Sequence, residues 1–155
     1  MNETIIEIIK GMLSPGIMIS ASGLLLIGMS NKYALVINRI RTLNEELRYL
    51  QKEDSNNLTR QQSILMQIPL LVNRMKYIRE VIWLYTLGIA LLISSIFAHG
   101  IYYLFGKLDI FTIISLILFF LALLLILIGA IIAVIEVRLG AKILIIETKD
   151  IKLDT

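Results

Sequence analysis

Three long apolar stretches set the pattern of this chain. Residues 11–31, 81–106 and 110–135 contain no Asp, Glu, Lys or Arg, and each stretch is at least 21 residues long. A helix needs about 20 predominantly apolar residues to cross a bilayer, so the pattern predicts three transmembrane helices in an all-α membrane protein. Residues 1–10 mix charged residues with isoleucines and predict a short amphipathic segment in the membrane interface.

The segment between the first two stretches, residues 32–80, carries two runs of apolar residues with alternating spacings of four and three. The first seam consists of Val36, Ile40, Leu43, Leu47 and Leu50, and the second of Ile64, Ile68, Leu71, Met75, Ile78 and Ile82. This spacing is typical of coiled-coil helices, and the polar residues 53–57 between the runs predict a turn. We therefore expect an antiparallel, coiled-coil-like helical hairpin that continues directly from the membrane spans. Pro69 predicts a kink or a local break at residues 67–69.

The distribution of positive charge predicts the orientation of the chain. Of the 15 Lys and Arg residues, one precedes the first apolar stretch, nine lie in residues 32–80, one separates the second and third stretches, and four follow the third. Positive residues next to membrane spans favour the cytoplasmic side. We therefore expect the hairpin at 32–80 and the helical extension and tail at 136–155 in the cytoplasm. Residues 1–10 and the turn at 106–109 are then on the outer side of the cell membrane.

Composition excludes several classes of protein. Hydrophobic residues make up 57% and charged residues 17% of the chain, with a mean hydropathy of +0.83. Soluble domains carry about a quarter of charged residues, so a soluble enzyme and a disordered tail are both excluded. The chain has no Cys and a single His, which leaves no disulfide framework, thiolate nucleophile or catalytic triad. We expect no enzymatic activity, no cofactor, no metal site and no nucleic-acid partner.

Small and polar residues form a line along the first predicted span. This polar stripe contains Gly16, Ser20, Gly23, Ile27 and Ser30 and continues past the membrane through Asn38 and Arg41. Because successive residues of an α-helix are about 100° apart, all of these positions fall within about 40° of one line along the helix, on the side opposite the seam at residues 36–50. One face of the helix is therefore small or polar over most of its length.

Two interpretations of the polar stripe are open, and a third combines them, with packing at the flanks of the first span and a pore at its centre. Small residues let helices approach closely in lipid, so the stripe fits a packing surface. A ring of subunits with the stripe facing its axis would instead line a polar path for inorganic ions, with Leu13 or Ile27 as an apolar gate. Three spans in one chain offer little room to bury the stripe, so we favour a homo-oligomer with the first helix innermost.

The leading function under this interpretation is a small ion channel or channel-like pore. The alternative is a non-conducting membrane scaffold or regulatory subunit that binds a partner through its cytoplasmic hairpin. The pair Arg41 and Glu45, one helical turn apart, fits either a charged ring at the mouth of a pore or an ordinary solvated helix pair.

We expect charged residues near the predicted membrane boundary to anchor the helices or to form ion pairs, and not to form an ion-binding site. Glu136, at the end of the third apolar stretch, is expected to pair with a basic residue preceding the second stretch. The basic residues there are Arg74, Lys76 and Arg79, and we also expect them to contact anionic lipid headgroups. His99 lies within a turn of two tyrosines at the outer end of the second span. We expect an interfacial histidine, with proton sensing as the alternative.

Two motifs resemble a known family. Ser14–Leu26 followed by Asn38–Leu43 resembles the prokaryotic family catalogued as domain of unknown function 2721, and the segments Arg79–Tyr85 and Glu136–Arg138 look similar to it as well. The similarity extends from about Leu13 to Glu147. It implies three membrane spans, and it supplies no established activity and no functional residue.

Overall fold

The chain folds into three long helices. Helix α1 spans Asn2–Lys52, α2 spans Leu58–Leu104 and α3 spans Asp109–Leu153, and these are the ranges that the computed structural model describes. No strand occurs within them. Each helix contains a stretch that is long and apolar enough to cross a bilayer, so the chain is an all-helical membrane protein. The predicted turns at 53–57 and 106–109 lie wholly or partly outside the described residues.

Both prolines of the chain lie inside helices. Helix α1 runs through Pro15 and α2 runs through Pro69 without interruption. Of the kink or local break predicted at residues 67–69, the break is therefore wrong. A proline removes one intrahelical hydrogen bond, to the carbonyl four residues earlier. At Pro69 that carbonyl belongs to Leu65, and both residues lie on an exposed side of α2.

The chain divides into two compact units, each built from parts of all three helices. The first unit contains Met1–Gly28 and Ile82–Ala130, and the second contains Met29–Val81 and Ile131–Thr155. Of the 15 Lys and Arg residues, 13 belong to the second unit. The boundary between the two units therefore separates the part of the chain that is rich in Lys and Arg from the part that is poor in them.

In the first unit, a reciprocal pair of serines joins α2 to α3. The Ser95 hydroxyl donates to the Ser115 carbonyl oxygen at 2.8 Å, and the Ser115 hydroxyl donates to the Ser95 carbonyl oxygen at 2.9 Å. Both side chains are buried. Because a buried hydroxyl without a partner is costly, this exchange satisfies two polar groups where the surrounding residues are apolar.

Small residues bring α2 and α3 close together elsewhere in the same unit. A Cβ atom added at Gly129 would lie 2.6 Å from Cε1 of Tyr85, and one added at Gly88 would lie 3.4 Å from the carbonyl oxygen of Ala122. Tyr85 and Ala122 are both buried. Close approach through small residues is the usual way in which helices associate in lipid, and here it occurs within the chain, between α2 and α3.

In the second unit, the side chains of the two predicted seams are buried or half-buried. The buried ones are Val36, Leu43, Ile64, Leu71 and Ile78, and the half-buried ones are Ile40, Leu47, Leu50, Ile68 and Met75. The last seam residue, Ile82, is half-buried and belongs to the first unit. No seam residue is exposed. The spacing of four and three residues therefore located the packing face of both arms.

Contacts at the far end of the arms show that they are antiparallel. The Arg60 guanidinium donates to both carboxylate oxygens of Glu46, at 2.8 and 3.1 Å, and the Gln61 amide donates to the Leu50 carbonyl oxygen at 3.2 Å. The end of α1 thus lies beside the start of α2, as in a helical hairpin. The hydrogen bonds from Arg60 lower the pKa of Glu46 from its usual value.

At two positions of the second seam, the most buried residue comes one position earlier in the chain than predicted. Gln67 and Val81 are buried more completely than their predicted neighbours Ile68 and Ile82. The amide nitrogen of Gln67 donates to the Ser63 hydroxyl at 3.1 Å, and this bond lets a polar side chain occupy a packing position. Apolar spacing alone could not indicate a buried glutamine.

Candidate functional site

Among the described residues, the polar stripe of α1 lies outside the buried side of the helix. The packed side of α1 is marked by buried residues seven positions apart, namely Pro15, Ser22, Met29, Val36 and Leu43. Residues of the polar stripe are exposed or half-buried: Gly16 and Gly23 are half-buried, and Ser20, Ile27, Ser30, Asn38 and Arg41 are exposed. The structure therefore separates the two faces of α1 in the way that the helical angles predict.

The glycines of the polar stripe have open space beside them. A Cβ atom added at Gly16 or Gly23 would meet no atom within 4 Å. The hydroxyl of Ser20 donates back to the Gly16 carbonyl oxygen at 3.5 Å, a long hydrogen bond within the helix. No described neighbour therefore requires Gly16 or Gly23 to be small, in contrast to Gly88 and Gly129 of the first unit.

The two residues predicted as a gate are also outward-facing. Leu13 is 57% exposed and Ile27 is 60% exposed, so neither closes a path within one chain. Farther along α1, Arg41 and Glu45 are both exposed, and the described contacts include no ion pair between them. Exposure in the single chain is compatible with a solvated helix pair and with a charged ring at the mouth of a pore.

His99 packs against α1 in the first unit. A Cβ atom added at Gly11 would lie only 2.0 Å from Nε2 of His99, so the imidazole fills the space that a larger residue would need. Nε2 is buried and has no hydrogen-bond partner among the described residues. The ring centroid of His99 lies 6.4 Å from that of Tyr102 and 5.5 Å from that of Tyr103. His99 is therefore part of an aromatic cluster as well as a helix contact.

A cluster of ionised side chains joins all three helices in the second unit. Glu136 of α3 is fully buried. Its carboxylate accepts a hydrogen bond from Nε of Arg74 on α2 and lies 3.4 Å from Nζ of Lys32 on α1. A buried carboxylate needs such partners because an unpaired buried charge is strongly unfavourable. Of the three basic residues predicted as partners of Glu136, namely Arg74, Lys76 and Arg79, the structure pairs Arg74 with it.

The same cluster changes the interpretation of the basic residues before the second span. Arg74 directs its Nε toward Glu136, and a Cβ atom added at Gly140 would lie 3.1 Å from its guanidinium carbon. Lys76 and Arg79 are exposed, and Arg79 lies 3.3 Å from the neighbouring Glu80. Of the three residues, only Lys76 and Arg79 are exposed enough for contact with lipid headgroups.

Sequence reasoning missed Lys32 as a partner and missed the depth at which Glu136 is buried. The sequence of α3 contains a pattern that indicates the burial of Glu136. Four residues seven positions apart, Ser115, Ala122, Gly129 and Glu136, are all buried. Three small residues at this spacing mark a packed face, and Glu136 continues it. As for metals, the described residues contain no group of three His, Asp or Glu side chains that could bind an ion.

Comparison with known proteins places the chain in a family. The profile described as "Protein of unknown function (DUF2721)" matches residues 12–146, a range that contains the polar stripe and every member of the ion cluster. No curated protein and no solved structure matches the chain. Because the matched range covers most of the 155 residues, this three-helix membrane protein belongs to the DUF2721 family.

Proposed function

We propose that the protein is a homo-oligomeric, channel-like pore for inorganic ions, in which the first helices of several subunits surround a polar path. The observation that carries the proposal is the exposure of small and polar residues along α1, where no part of the described chain covers Ser20, Ser30 or the space beside Gly23. A hydroxyl facing lipid has no external hydrogen-bond partner. A second copy of the same face, or water, provides one.

Helix α3 provides the contrast. Its outward side chains are large and apolar: Ile113, Ile117, Phe120, Leu124, Leu127 and Ile131 are each more than half exposed. Such a surface is suited to lipid. The polar stripe of α1 differs from it in size and polarity, so we infer that lipid covers α3 and that other subunits or water cover the stripe.

The two ends of the stripe would have different roles in a pore. Within the span, Leu13 and Ile27 would form apolar constrictions, which gate by excluding water. Beyond the span, Asn38 and Arg41 are exposed on the same line and would surround the mouth. A serine and glycine lining has no fixed charge, so the proposal assigns no ion selectivity.

A second candidate function has its own supporting observation. The arm of α2 exposes large apolar residues away from the seam, including Leu58 at 65%, Leu65 at 56% and Met66 at 65%. Such a patch on a hairpin fits contact with another protein. Under this alternative, the protein is a non-conducting scaffold or regulatory subunit, and the stripe serves only to pack its subunits together.

One pair of variants distinguishes the two functions. Ser20→Leu combined with Gly23→Leu fills the polar stripe, and Ala21→Leu combined with Gly28→Leu adds similar bulk to exposed positions of α1 outside it. Conductance is measured in planar bilayers and subunit number by native mass spectrometry. A pore predicts that the stripe variant loses conductance and keeps its assembly, while the control keeps both.

Other outcomes lead to different conclusions. If the stripe variant loses its assembly, the stripe is a packing surface and the scaffold function is favoured. If the wild-type protein does not conduct, the pore is excluded. If the stripe variant changes neither conductance nor assembly, the stripe has no part in either function.

We further propose the setting in which either function operates. The positive charge of the hairpin favours the cytoplasmic side of a prokaryotic inner membrane, with the N-terminus outside. Anionic lipid headgroups at that surface would attract Lys76 and Arg79. The role is non-enzymatic, since the chain lacks the residue sets that hydrolytic and metal-dependent enzymes require.

A further inference from the structure

A groove in the first unit is lined by all three helices. Its volume is about 310 Å³, which is at the lower end of the range for small-molecule pockets. The lining side chains come from residues 11–15 of α1, 95–99 of α2 and 112–119 of α3, and all three ranges belong to the first unit. The size of the groove fits a small ligand or part of one lipid chain.

Several polar groups of the groove have no hydrogen-bond partner among the described residues. Ser14 and Thr112 are exposed, and their hydroxyls make no hydrogen bond there, while Nε2 of His99 is buried and also unpaired. Pro15 has no N–H, so it cannot donate the hydrogen bond that an α-helix would supply to the Gly11 carbonyl oxygen. Unpaired polar groups are costly in hydrocarbon, so the groove favours an occupant that carries both a donor and an acceptor.

The unpaired groups lie nearer the predicted membrane surface than the apolar part of the lining does. Gly11 and Thr112 are the first and third residues of their apolar stretches. Leu116 and Phe119 lie deeper, and seven residues of helix between Thr112 and Phe119 span about 10 Å. Leu116 is 56% exposed. Polar groups at the surface and apolar ones below match the two ends of an amphiphile inserted in a bilayer.

The groove offers no charge for an ionic head group. None of its nine lining residues, all of them described, is Asp, Glu, Lys or Arg. Lys10 and Asp109 are exposed next to the lining residues in sequence, and their opposite charges give no preference for either sign. An ion that leaves water without a counter-ion is strongly disfavoured, so the occupant is uncharged.

We propose that this groove binds the head of an uncharged, single-chain lipid alcohol of the monoacylglycerol class. Each head hydroxyl donates one hydrogen bond and accepts others, so the head satisfies the Ser14 and Thr112 hydroxyls and the Gly11 carbonyl oxygen. The chain then lies along Leu116 and Phe119. Such a site requires only that the protein crosses a bilayer, so it does not depend on the pore.

The test measures binding of tritiated monooleoylglycerol to the full chain in detergent. Unlabelled 1-octadecene, oleate and dioleoylphosphatidylcholine are titrated as competitors. We expect octadecene to compete at least about tenfold less well than monooleoylglycerol, because it loses two or more hydrogen bonds. Oleate should also compete less well because its carboxylate meets no lining cation, and the phospholipid because its two chains and head group exceed the groove.

A matched pair of variants examines the hydroxyl. Thr112→Val keeps the shape of the side chain and should weaken binding of monooleoylglycerol about fivefold, the effect of one hydrogen bond, while leaving competition by octadecene unchanged. Thr86→Val is the control. Thr86 is an exposed threonine of α2 that lies outside the groove and bonds to the Ile82 carbonyl oxygen of its own helix.

A second pair fills the space. Ser14→Phe places a ring at an exposed position inside the groove and should abolish binding. Ser94→Phe adds the same ring at an exposed position of α2 outside it and should leave binding unchanged. Circular dichroism verifies that each variant keeps its helical content.

Several results would overturn the assignment. Equal competition by octadecene would make the groove an apolar lipid contact without hydroxyl recognition, and equal competition by oleate or the phospholipid would exclude a preference for an uncharged, single-chain head. The site itself is excluded if monooleoylglycerol shows no saturable binding, if Ser14→Phe still binds it, or if Thr86→Val weakens binding as much as Thr112→Val does.

Discussion

The partners of Glu136 account for its burial. A carboxylate excluded from water is tolerated only with close cations and hydrogen bonds. Here Arg74 and Lys32 supply both, each from a different helix. Because the three side chains meet at one level of the second unit, the cluster fixes the register of α1, α2 and α3 there. Ion pairs at the surface have no such effect, since water competes for both partners.

Replacing Glu136 therefore has a larger effect than replacing an exposed carboxylate. We expect Glu136→Gln to lower the free energy of unfolding by about 2 kcal/mol, because it leaves two cations partly buried without their counter-ion. Glu46→Gln is the matched control, since Glu46 pairs with Arg60 at the exposed end of the hairpin. Its effect should be under about 1 kcal/mol.

Denaturant titrations of both variants in detergent, followed by circular dichroism, provide the comparison. Equal losses of stability in the two variants would mean that the buried cluster contributes no more than a surface pair.

At the scale of helices, small residues have two different roles in this chain. Those of α2 and α3 sit where the helices approach closely, as at Gly88 and Gly129. In α1, a Cβ atom added at Gly16 or Gly23 of the polar stripe, or at Gly28 outside it, would meet open space. Composition does not distinguish the two, because serine and glycine occur in all three spans. What distinguishes them is whether a neighbouring helix occupies the space that a side chain would fill.

A glycine-to-alanine substitution should therefore change stability in opposite directions at the two kinds of position. Gly129→Ala places a methyl group 2.6 Å from the ring of buried Tyr85, and we expect a net loss of about 1 kcal/mol or more from overpacking. Gly28→Ala meets no atom within 4 Å, so the higher helix propensity of alanine should stabilise the protein by up to about 1 kcal/mol.

Thermal unfolding in a single detergent measures both variants. A stabilised Gly129→Ala protein would show that α2 and α3 do not approach as closely as described. A clear loss of stability in Gly28→Ala would indicate that another subunit lies against that position.

For the whole molecule, the distribution of charge is the basis of the proposed orientation in the membrane. The two units differ sharply in this respect, with 13 of the 15 Lys and Arg residues in the second. Transfer of so many positive charges across a membrane is opposed during insertion. We therefore propose that the hairpin lies on the cytoplasmic side.

The absence of cysteine from the chain makes the orientation simple to test. Gln62→Cys labels the exposed side of the α2 arm, and Lys10→Cys labels the start of α1. In intact cells, a membrane-impermeant maleimide should modify Lys10→Cys and should reach Gln62→Cys only after permeabilisation. The reverse pattern would place the hairpin outside, and the cysteine-free protein serves as the blank.

The sequence by itself determined the helical class, the three spans and the packing faces of the hairpin. Each depends on a local pattern: apolar runs long enough for a bilayer, and apolar residues spaced by four and three, as at Val36 and Leu43. In α2, burial was predicted correctly at Ile64, Leu71 and Ile78, which are seven residues apart. These three positions belong to the packing face whether it also includes Ile68 and Ile82, as predicted, or Gln67 and Val81, as observed. The break at Pro69 was wrong because an exposed proline can be accommodated within a continuous helix.

Only the tertiary structure decided which polar residues are buried and with what partners. Lys32 and Glu136 are 104 residues apart, and Ser95 and Ser115 are 20 apart, so no local pattern connects them. A polar residue in an apolar run has the same local signature whether it meets a partner helix or open space. Ser22 is buried and Ser20 is exposed because the fold places other helices on only one side of α1.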